Sequence, residues 1–276
     1  MRSHIDIDPT TRLDGVRALL EVRESFKDRI DIEFVAFPQS GILCSPGVEE
    51  LLDEALKMGV EAIGGLDPAA FDRDPARHLD IVFRLAAEHG VKVDIHLHEP
   101  GTLGAFSIEL IAERTRKYGL QGKVAISHAF ALGTVEENRF KKLLELIAET
   151  RLALVTNAPG SSEFAPHKPV LEAGVVYALG SDNIRDCWAP FGNGDMLDRA
   201  LQLVMRRRLR SDGLIEQALS MATYEGAKLL GLKDYGIEPG CFADGVLLKA
   251  ACAAEAVAVC PGERTVLKRG QFLTEK

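Results

Sequence analysis

Three apolar runs in this chain each end on a residue able to handle a metal ion or a proton, and that repetition restricts the fold more than any other feature. The clearest run is Val93-Asp-Ile-His-Leu-His-Glu99, where apolar and polar residues alternate as along a strand with one wet end. Two further runs close at Ser127-His128 and at Gly180-Ser-Asp182-Asn183. Chemistry-bearing groups delivered at successive strand C-termini indicate a (β/α) barrel with its site at one mouth.

The remainder of the chain supports that architecture. Strand-like runs cover 4–8, 32–38, 60–66, 92–98, 123–128, 152–157 and 175–180. Amphipathic helical stretches separate them. Val16, Leu19 and Leu20 mark one apolar face; Val48, Leu51, Leu52, Ala55 and Leu56 mark another. Ser45-Pro46 reads as N-cap and first residue of that second helix, and Thr134-Val-Glu-Glu137 as a capping box. Repeating strand–helix units of about thirty residues indicate parallel strands. Eight such units make a barrel of about 250 residues; this sequence supplies seven. Helical patterns follow at 196–208, 214–221 and 224–230. After the turn-rich Gly236-Ile-Glu-Pro-Gly240, short strands near 243–248 and 264–270 suggest a small β unit. The expected division is a barrel over 1–235 and the β unit over 236–276.

Composition removes several function classes. A net charge of -8 argues against nucleic acid as a partner. The basic run Arg206-Arg207-Arg208 ends a helical pattern, where cations complement the helix dipole. Five cysteines, an odd number without C-x-x-C spacing, point to reduced thiols and a cytoplasmic location. No stretch approaches the roughly 20 apolar residues of a membrane span. The opening Met-Arg-Ser-His-Ile-Asp enters a strand pattern at once and does not read as a signal peptide.

Strand alternation places His96 and His98 on one face. Neutral imidazole suits zinc or iron, and Glu99 could carry a proton between water and a leaving group; the bland alternative is a solvated strand end. His128 reads as a ligand, a proton shuttle or a hydrogen-bonding neighbour of the site. Asp182 is either a helix cap or a metal ligand and base, with Asn183 a neutral donor and acceptor beside it. Gln39, after Phe34-Val-Ala-Phe-Pro38, could read a ring amide through paired hydrogen bonds, or could be a turn residue. Trp188, the only tryptophan, could stack on a planar heterocycle or simply pack. His4 and Asp6 share a face of the opening strand. His78, His89 and His167 read as surface or packing residues.

Together these residues resemble the cytosine deaminase branch of the amidohydrolase superfamily. Val35-Ala-Phe-Pro-Gln39-Ser-Gly-Ile-Leu is similar to its substrate-glutamine segment. Asp94-Ile-His96-Leu-His98-Glu99 is similar to its fifth-strand metal motif, and Ile126-Ser-His128 to its sixth-strand histidine. Gly180-Ser-Asp182-Asn183, with Asp186-Cys-Trp188, resembles its eighth-strand segment. Asp234-Tyr-Gly-Ile-Glu-Pro-Gly240, then Ala243-Asp, is similar to the turn leading back to its small β-sandwich.

The resemblance implies a TIM-type barrel and one divalent metal ion, zinc or iron, held by His96 and Asp182. Asp182 would also orient and deprotonate the attacking hydroxide. Glu99 would move protons to the ring nitrogen and leaving group, and His128 would polarise the hydroxide or share proton transfer. Gln39, His98, Asn183 and Trp188 would contact the ring. The implied reaction is hydrolytic release of ammonia or an alkylamine from a pyrimidine or triazine, by a cytoplasmic homo-oligomer. His98 stands where cytosine deaminases carry an acidic residue, and Asn183 where they often carry a second aspartate. Both changes are closer to relatives that act on isopropylammelide-like rings. With the strand of His96 counted as the fifth, that of His4 is the second. The first strand, with the family's His-x-His, and part of the sandwich are therefore expected to be absent. Three alternatives accompany this reading: an inactive, truncated amidohydrolase acting as a binding protein, an enzyme whose first strand comes from another chain, and a two-metal dihydropyrimidinase-like enzyme. The last lacks an obvious bridging lysine near Gly64-Gly65-Leu66.

Overall fold

The computed structural model describes residues 1–273. Its first seven strands are β1 (Arg2–Asp6), β2 (Glu33–Phe37), β3 (Ala62–Leu66), β4 (Lys92–His96), β5 (Val124–Ser127), β6 (Ala153–Thr156) and β7 (Tyr177–Leu179). They form one sheet in chain order, and β1 to β5 pair in parallel. This is the TIM-type arrangement with seven strands among the described residues, as the sequence pattern led us to expect. Three more strands, β8 (Gly245–Leu248), β9 (Arg264–Lys268) and β10 (Gln271–Leu273), make a separate antiparallel sheet.

The chain divides into two compact units. The first comprises Met1–Leu154 and Ser162–Val176; the second comprises Val155–Ser161 and the chain from Tyr177 onward. The boundary expected at residue 235 remains a proposal about chain segments, with β8 to β10 on its C-terminal side.

In the first unit β2, β3 and β5 are mostly apolar, as a helix-covered parallel sheet requires, while β1 and β4 interleave Arg2, His4, Asp94 and His96 with their apolar residues. β3 is buried along its whole length. Its two glycines make room for larger neighbours. A Cβ on Gly64 would meet the Phe37 ring at 2.5 Å, and one on Gly65 would meet His78 Nε2 at 2.7 Å and Ile95 at 2.8 Å. The helix Pro75–His89 is specified at both ends. Asp74 accepts a hydrogen bond from the Arg77 amide, proline occupies the first turn, and Gly90 takes the left-handed conformation that closes it.

Two expected caps are corrected by the structure. The second helix starts at Val48, with Gly47 at φ 89° as its N-cap; the Ser45 hydroxyl donates instead to the Ser40 carbonyl. Thr134 closes a short helix, Ala131–Thr134, and its hydroxyl accepts from the Gly101 amide. The helix that follows begins at Glu137 without a side-chain cap. In both places a local hydroxyl found a nearer backbone partner, the competition that draws Ser and Thr to turns.

In the second unit, helices Met196–Arg207, Asp212–Ala222 and Tyr224–Leu230 fall where periodicity placed them, while Ala253–Val259 and β10 were not anticipated. Asp195 caps the first of these helices by accepting from the Leu197 amide. The same carboxylate takes both arms of Arg264, at 2.8 and 2.7 Å, tying the helix start to β9.

Candidate active site

In the first unit β1 and the C-terminal ends of β4 and β5 bring four histidines together. The His96 ring centroid lies 4.6 Å from His4, 4.9 Å from His128 and 6.0 Å from His98. His98 and His128 stack at 4.2 Å with their planes 35° apart. Phe37 packs 4.7 Å from His96 and 5.1 Å from His4, using the space left by Gly64. Phe130 closes the other side, 5.6 Å from His98 and 5.4 Å from His128.

This enclosure disfavours the charged form of His96 and His128. Burial, followed by the neighbouring His4, His128 and His98, holds the His96 pKa well below the ordinary histidine value. Burial and then His98 push His128 down to about 3. A neutral ring keeps one nitrogen lone pair for a ligand. The Nδ1 atoms of His96 and His128 are buried and meet no hydrogen-bond partner among the described residues. Buried polar atoms are normally satisfied, so two such nitrogens side by side fit a bound group that imidazole suits, an ion or a proton-bearing partner.

Below the cluster lies a polar layer that is already satisfied. Asp94, buried, takes Arg2 at 2.8 Å on one oxygen and the Ser127 hydroxyl at 2.7 Å on the other. Arg2 also pairs with Glu33 at 2.7 Å. Burial works against the Arg2 charge, but Asp94 and Glu33 outweigh it and raise its pKa. Ligand atoms of His4, Asp94 and His96 lie within 4.8 Å of one another. The Asp94 carboxylate is also in a buried ion pair with Arg2, whose charge it balances.

Glu99 is nearly fully buried. One carboxylate oxygen accepts from the amides of Ala69 and Ala70, at 2.8 and 2.9 Å, and the other from the Ser107 hydroxyl at 2.5 Å. His98 is more open, and its Nδ1 is 2.8 Å from Asp67. Gln39 lies just past β2, half-buried, its amide bonded to the Phe37 carbonyl. The loop after it is anchored by Asp72, which accepts from the Ile42 and Cys44 amides and bonds His78 at 2.6 Å. His78, read as surface or packing, is wholly buried in that anchor.

The second unit carries the remaining candidates. Asp182 follows β7 in a left-handed conformation, φ 57°, and accepts a 2.6 Å hydrogen bond from the Asn157 side chain. Arg199 joins the ends of β6 and β7 by donating to the carbonyls of Asn157 and Ser181, at 2.9 and 2.7 Å. Asn183 donates to Asp186, which in turn accepts from the Trp188 and Ala189 amides. Trp188 itself is exposed.

Sequence reasoning missed Asp67, Ser107, Asn157 and Arg199. Asp67 had a visible signal, since it ends the apolar run Ala62-Ile-Gly-Gly-Leu66 in the same way that Asp182 ends its own. The other three partners are defined only by tertiary contact.

A TIM-type sheet, parallel from β1 to β5, with buried imidazoles at its strand ends defines a class, the metal-dependent hydrolases of TIM-barrel type. The amidohydrolase family model matches residues 7–273, and the chain belongs to that family. It is 36% identical over 275 residues to N-isopropylammelide isopropyl amidohydrolase of Pseudomonas sp. (strain ADP), covering 99% of this chain and 68% of that protein. The crystal structure of N-isopropylammelide isopropylaminohydrolase from Burkholderia multivorans superposes with a TM-score of 0.96 at 41% identity, over 98% of this chain and 70% of that one. The 5-methylcytosine deaminase of Klebsiella pneumoniae, liganded with 5-fluorocytosine, gives 0.90 at 26% identity, over 100% and 70%. Among the described residues no helix is long and apolar enough to cross a membrane.

Proposed function

We propose that the chain carries the site of a hydrolase that breaks an exocyclic C–N bond on a six-membered nitrogen heterocycle. An alkylamino-triazine of the isopropylammelide type is the preferred substrate, with a pyrimidine amidine such as cytosine next. The observation that carries this reading is the pair of buried, unpartnered nitrogens on His96 and His128 at adjacent strand ends. His96 and Asp182 are the proposed protein ligands of one zinc or iron ion. Such an ion, when bound, acts as a Lewis acid that makes water nucleophilic near neutral pH.

The side chains then have separable tasks. His128 takes and returns a proton beside the attacked ring carbon. Glu99 passes protons to the ring nitrogen and to the departing amine, while the Ala69 and Ala70 amides and the Ser107 hydroxyl hold it in position. Gln39 and His98 hydrogen-bond the ring edge; Asn183 and Trp188 border it. The balance is simple: water oxygen joins the ring carbon, the C–N bond breaks, one water proton leaves on the amine and the other stays on the ring as a lactam. The His98 and Asn183 departures support a triazine, because each removes an acidic group that a cytosine-type site carries. A homo-oligomer is proposed on the family resemblance.

Zinc-loaded protein should hold about one ion per chain and release isopropylamine from N-isopropylammelide. Neither bound metal nor amine release would favour a binding protein instead. Glu99→Gln tests the proton carrier. Its amide oxygen can keep the two backbone donors and its nitrogen can donate to Ser107, so fold and metal should survive. Turnover should fall at least ~100-fold, the usual scale for a lost acid–base group. A variant that turns over at the parental rate removes Glu99 from the chemistry.

A further inference from the structure

Asp67 was assigned no role by sequence or resemblance, yet it holds three groups of the β4 end at once. One carboxylate oxygen accepts from the His98 amide at 2.5 Å and the Glu99 amide at 3.3 Å. The other lies 2.8 Å from His98 Nδ1. Asp67 is itself built into the sheet, since its own amide continues the β3–β4 ladder by donating to the His96 carbonyl at 2.9 Å. It is buried, and it sits at φ 33°, a left-handed conformation that Asp tolerates better than most residues. The His98 ring it grips also packs against His128 and is edged by Phe130.

We propose that Asp67 is a positioning residue that fixes which polarity His98 offers to the substrate. In a neutral imidazole, a carboxylate at Nδ1 selects the Nδ1–H tautomer and leaves Nε2 as an acceptor. The side chain of His98 is 41% exposed, so that acceptor edge is open. It matches a ring N–H or an amino N–H, the donors of a lactam-bearing heterocycle, and disfavours a bare ring nitrogen or carbonyl at that point. An acidic residue in place of His98 would also accept; histidine differs in that its partner sets the sign. The inference rests on the proposed heterocycle site for its ligand, but the tautomer does not depend on that reading.

Asp67→Asn inverts the arrangement without emptying it. The asparagine oxygen keeps the two backbone amides, and its NH2 group then faces Nδ1. Nδ1 must accept, and the proton moves to Nε2. Histidine-selective 15N labelling and long-range 1H–15N correlation read the tautomer directly, in metal-free and in zinc-loaded protein. The parent should show a protonated Nδ1 and a bare Nε2 for His98, and Asp67→Asn the reverse. Cyanuric acid, a ring of lactam N–H groups, should bind the variant at least tenfold more weakly by calorimetry. Amine release from N-isopropylammelide should lose most of its efficiency through KM, with metal content unchanged. A parent spectrum with Nε2 protonated, or equal cyanuric acid affinity in the two folded proteins, overturns the proposal. Should Asp67→Asn fail to fold, the parent spectrum alone decides. Correct tautomers without any amine release would refute the hydrolase reading and leave the role of Asp67 intact.

Discussion

At the ends of β3, β4 and β5 each candidate side chain is fixed by a group from another element, whereas after β7 the candidates are fixed mostly by one another. Glu99 is held by the turn after β3 and by Ser107 of the next helix, and His98 by Asp67. Asn183, Asp186 and Trp188 bond within a span of a few residues on an exposed loop. On the proposed reading the difference separates two jobs, and Asp182, held by Asn157 from the end of β6, goes with the first. Groups that hold a metal or move a proton need sub-ångström placement, which only packed elements give. Groups that border a substrate can sit on a loop, where side chains vary at little cost to the fold.

The largest way to break this contrast is Gly104→Ala. Gly104 lies in the helix Gly101–Lys117 where it passes the site, and a Cβ there would stand 1.9 Å from the Glu99 carbonyl oxygen and 2.8 Å from Ala131. Alanine is the better helix former by about 1 kcal/mol, but a backbone clash of this kind cannot relax by rotating a side chain. We expect a net loss of about 3 kcal/mol or more in denaturant unfolding, the upper end for overpacking. An unchanged midpoint would mean that the helix does not run this close to Glu99.

A smaller effect is expected from Asp195→Ala in the second unit. It removes a helix cap and a two-armed ion pair with Arg264 at once. A cap is worth about 1 kcal/mol, and a partly exposed ion pair up to about 1 more. The hydrogen bonds from Arg264 hold the Asp195 pKa below its ordinary value. A depressed carboxyl pKa stabilises the fold fully above the unfolded value, near ~3.9, and the contribution is lost as pH falls through the lower folded value. The gap between parent and variant should therefore be widest near neutral pH and close on acidification. A gap that is constant from pH 7 to pH 3 would mean that neither the ion pair nor the cap draws on the carboxylate charge.

How much of this was legible beforehand follows the same divide. The seven strands were visible as short apolar or alternating runs between helical patterns, which read plainly in sequence. His96, His98, Glu99 and His128 were visible because they close those runs. Their fixing partners were not. Nothing in Ser107 marks it as the donor to a carboxylate eight residues earlier, and Arg199 looks like any helix cation until the carbonyls of Asn157 and Ser181 are placed under it. Local hydroxyls misled in the opposite sense. Ser45 and Thr134 match capping patterns, but a cap pattern competes with every nearby carbonyl, and both bonded backbone elsewhere. The helix Ala253–Val259 was missed because a short alanine–valine stretch carries almost no periodic signal.

The smallest expected effect sharpens the comparison most. Trp188→Ala alters the largest side chain of the loop after β7, but that side chain is 64% exposed and only its backbone amide is bonded, to Asp186. The substitution leaves that bond in place and removes little buried surface, so unfolding should shift by no more than about 0.5 kcal/mol, the ordinary range for a surface change. If the ring borders the heterocycle, KM for N-isopropylammelide should rise several-fold while kcat and zinc content stay close to the parent. A fall in kcat without a change in KM would place Trp188 among the groups that position the reaction itself. The exposed loop would then be as tightly coupled to the chemistry as the packed strand ends, and the division of labour drawn between the two regions would not hold.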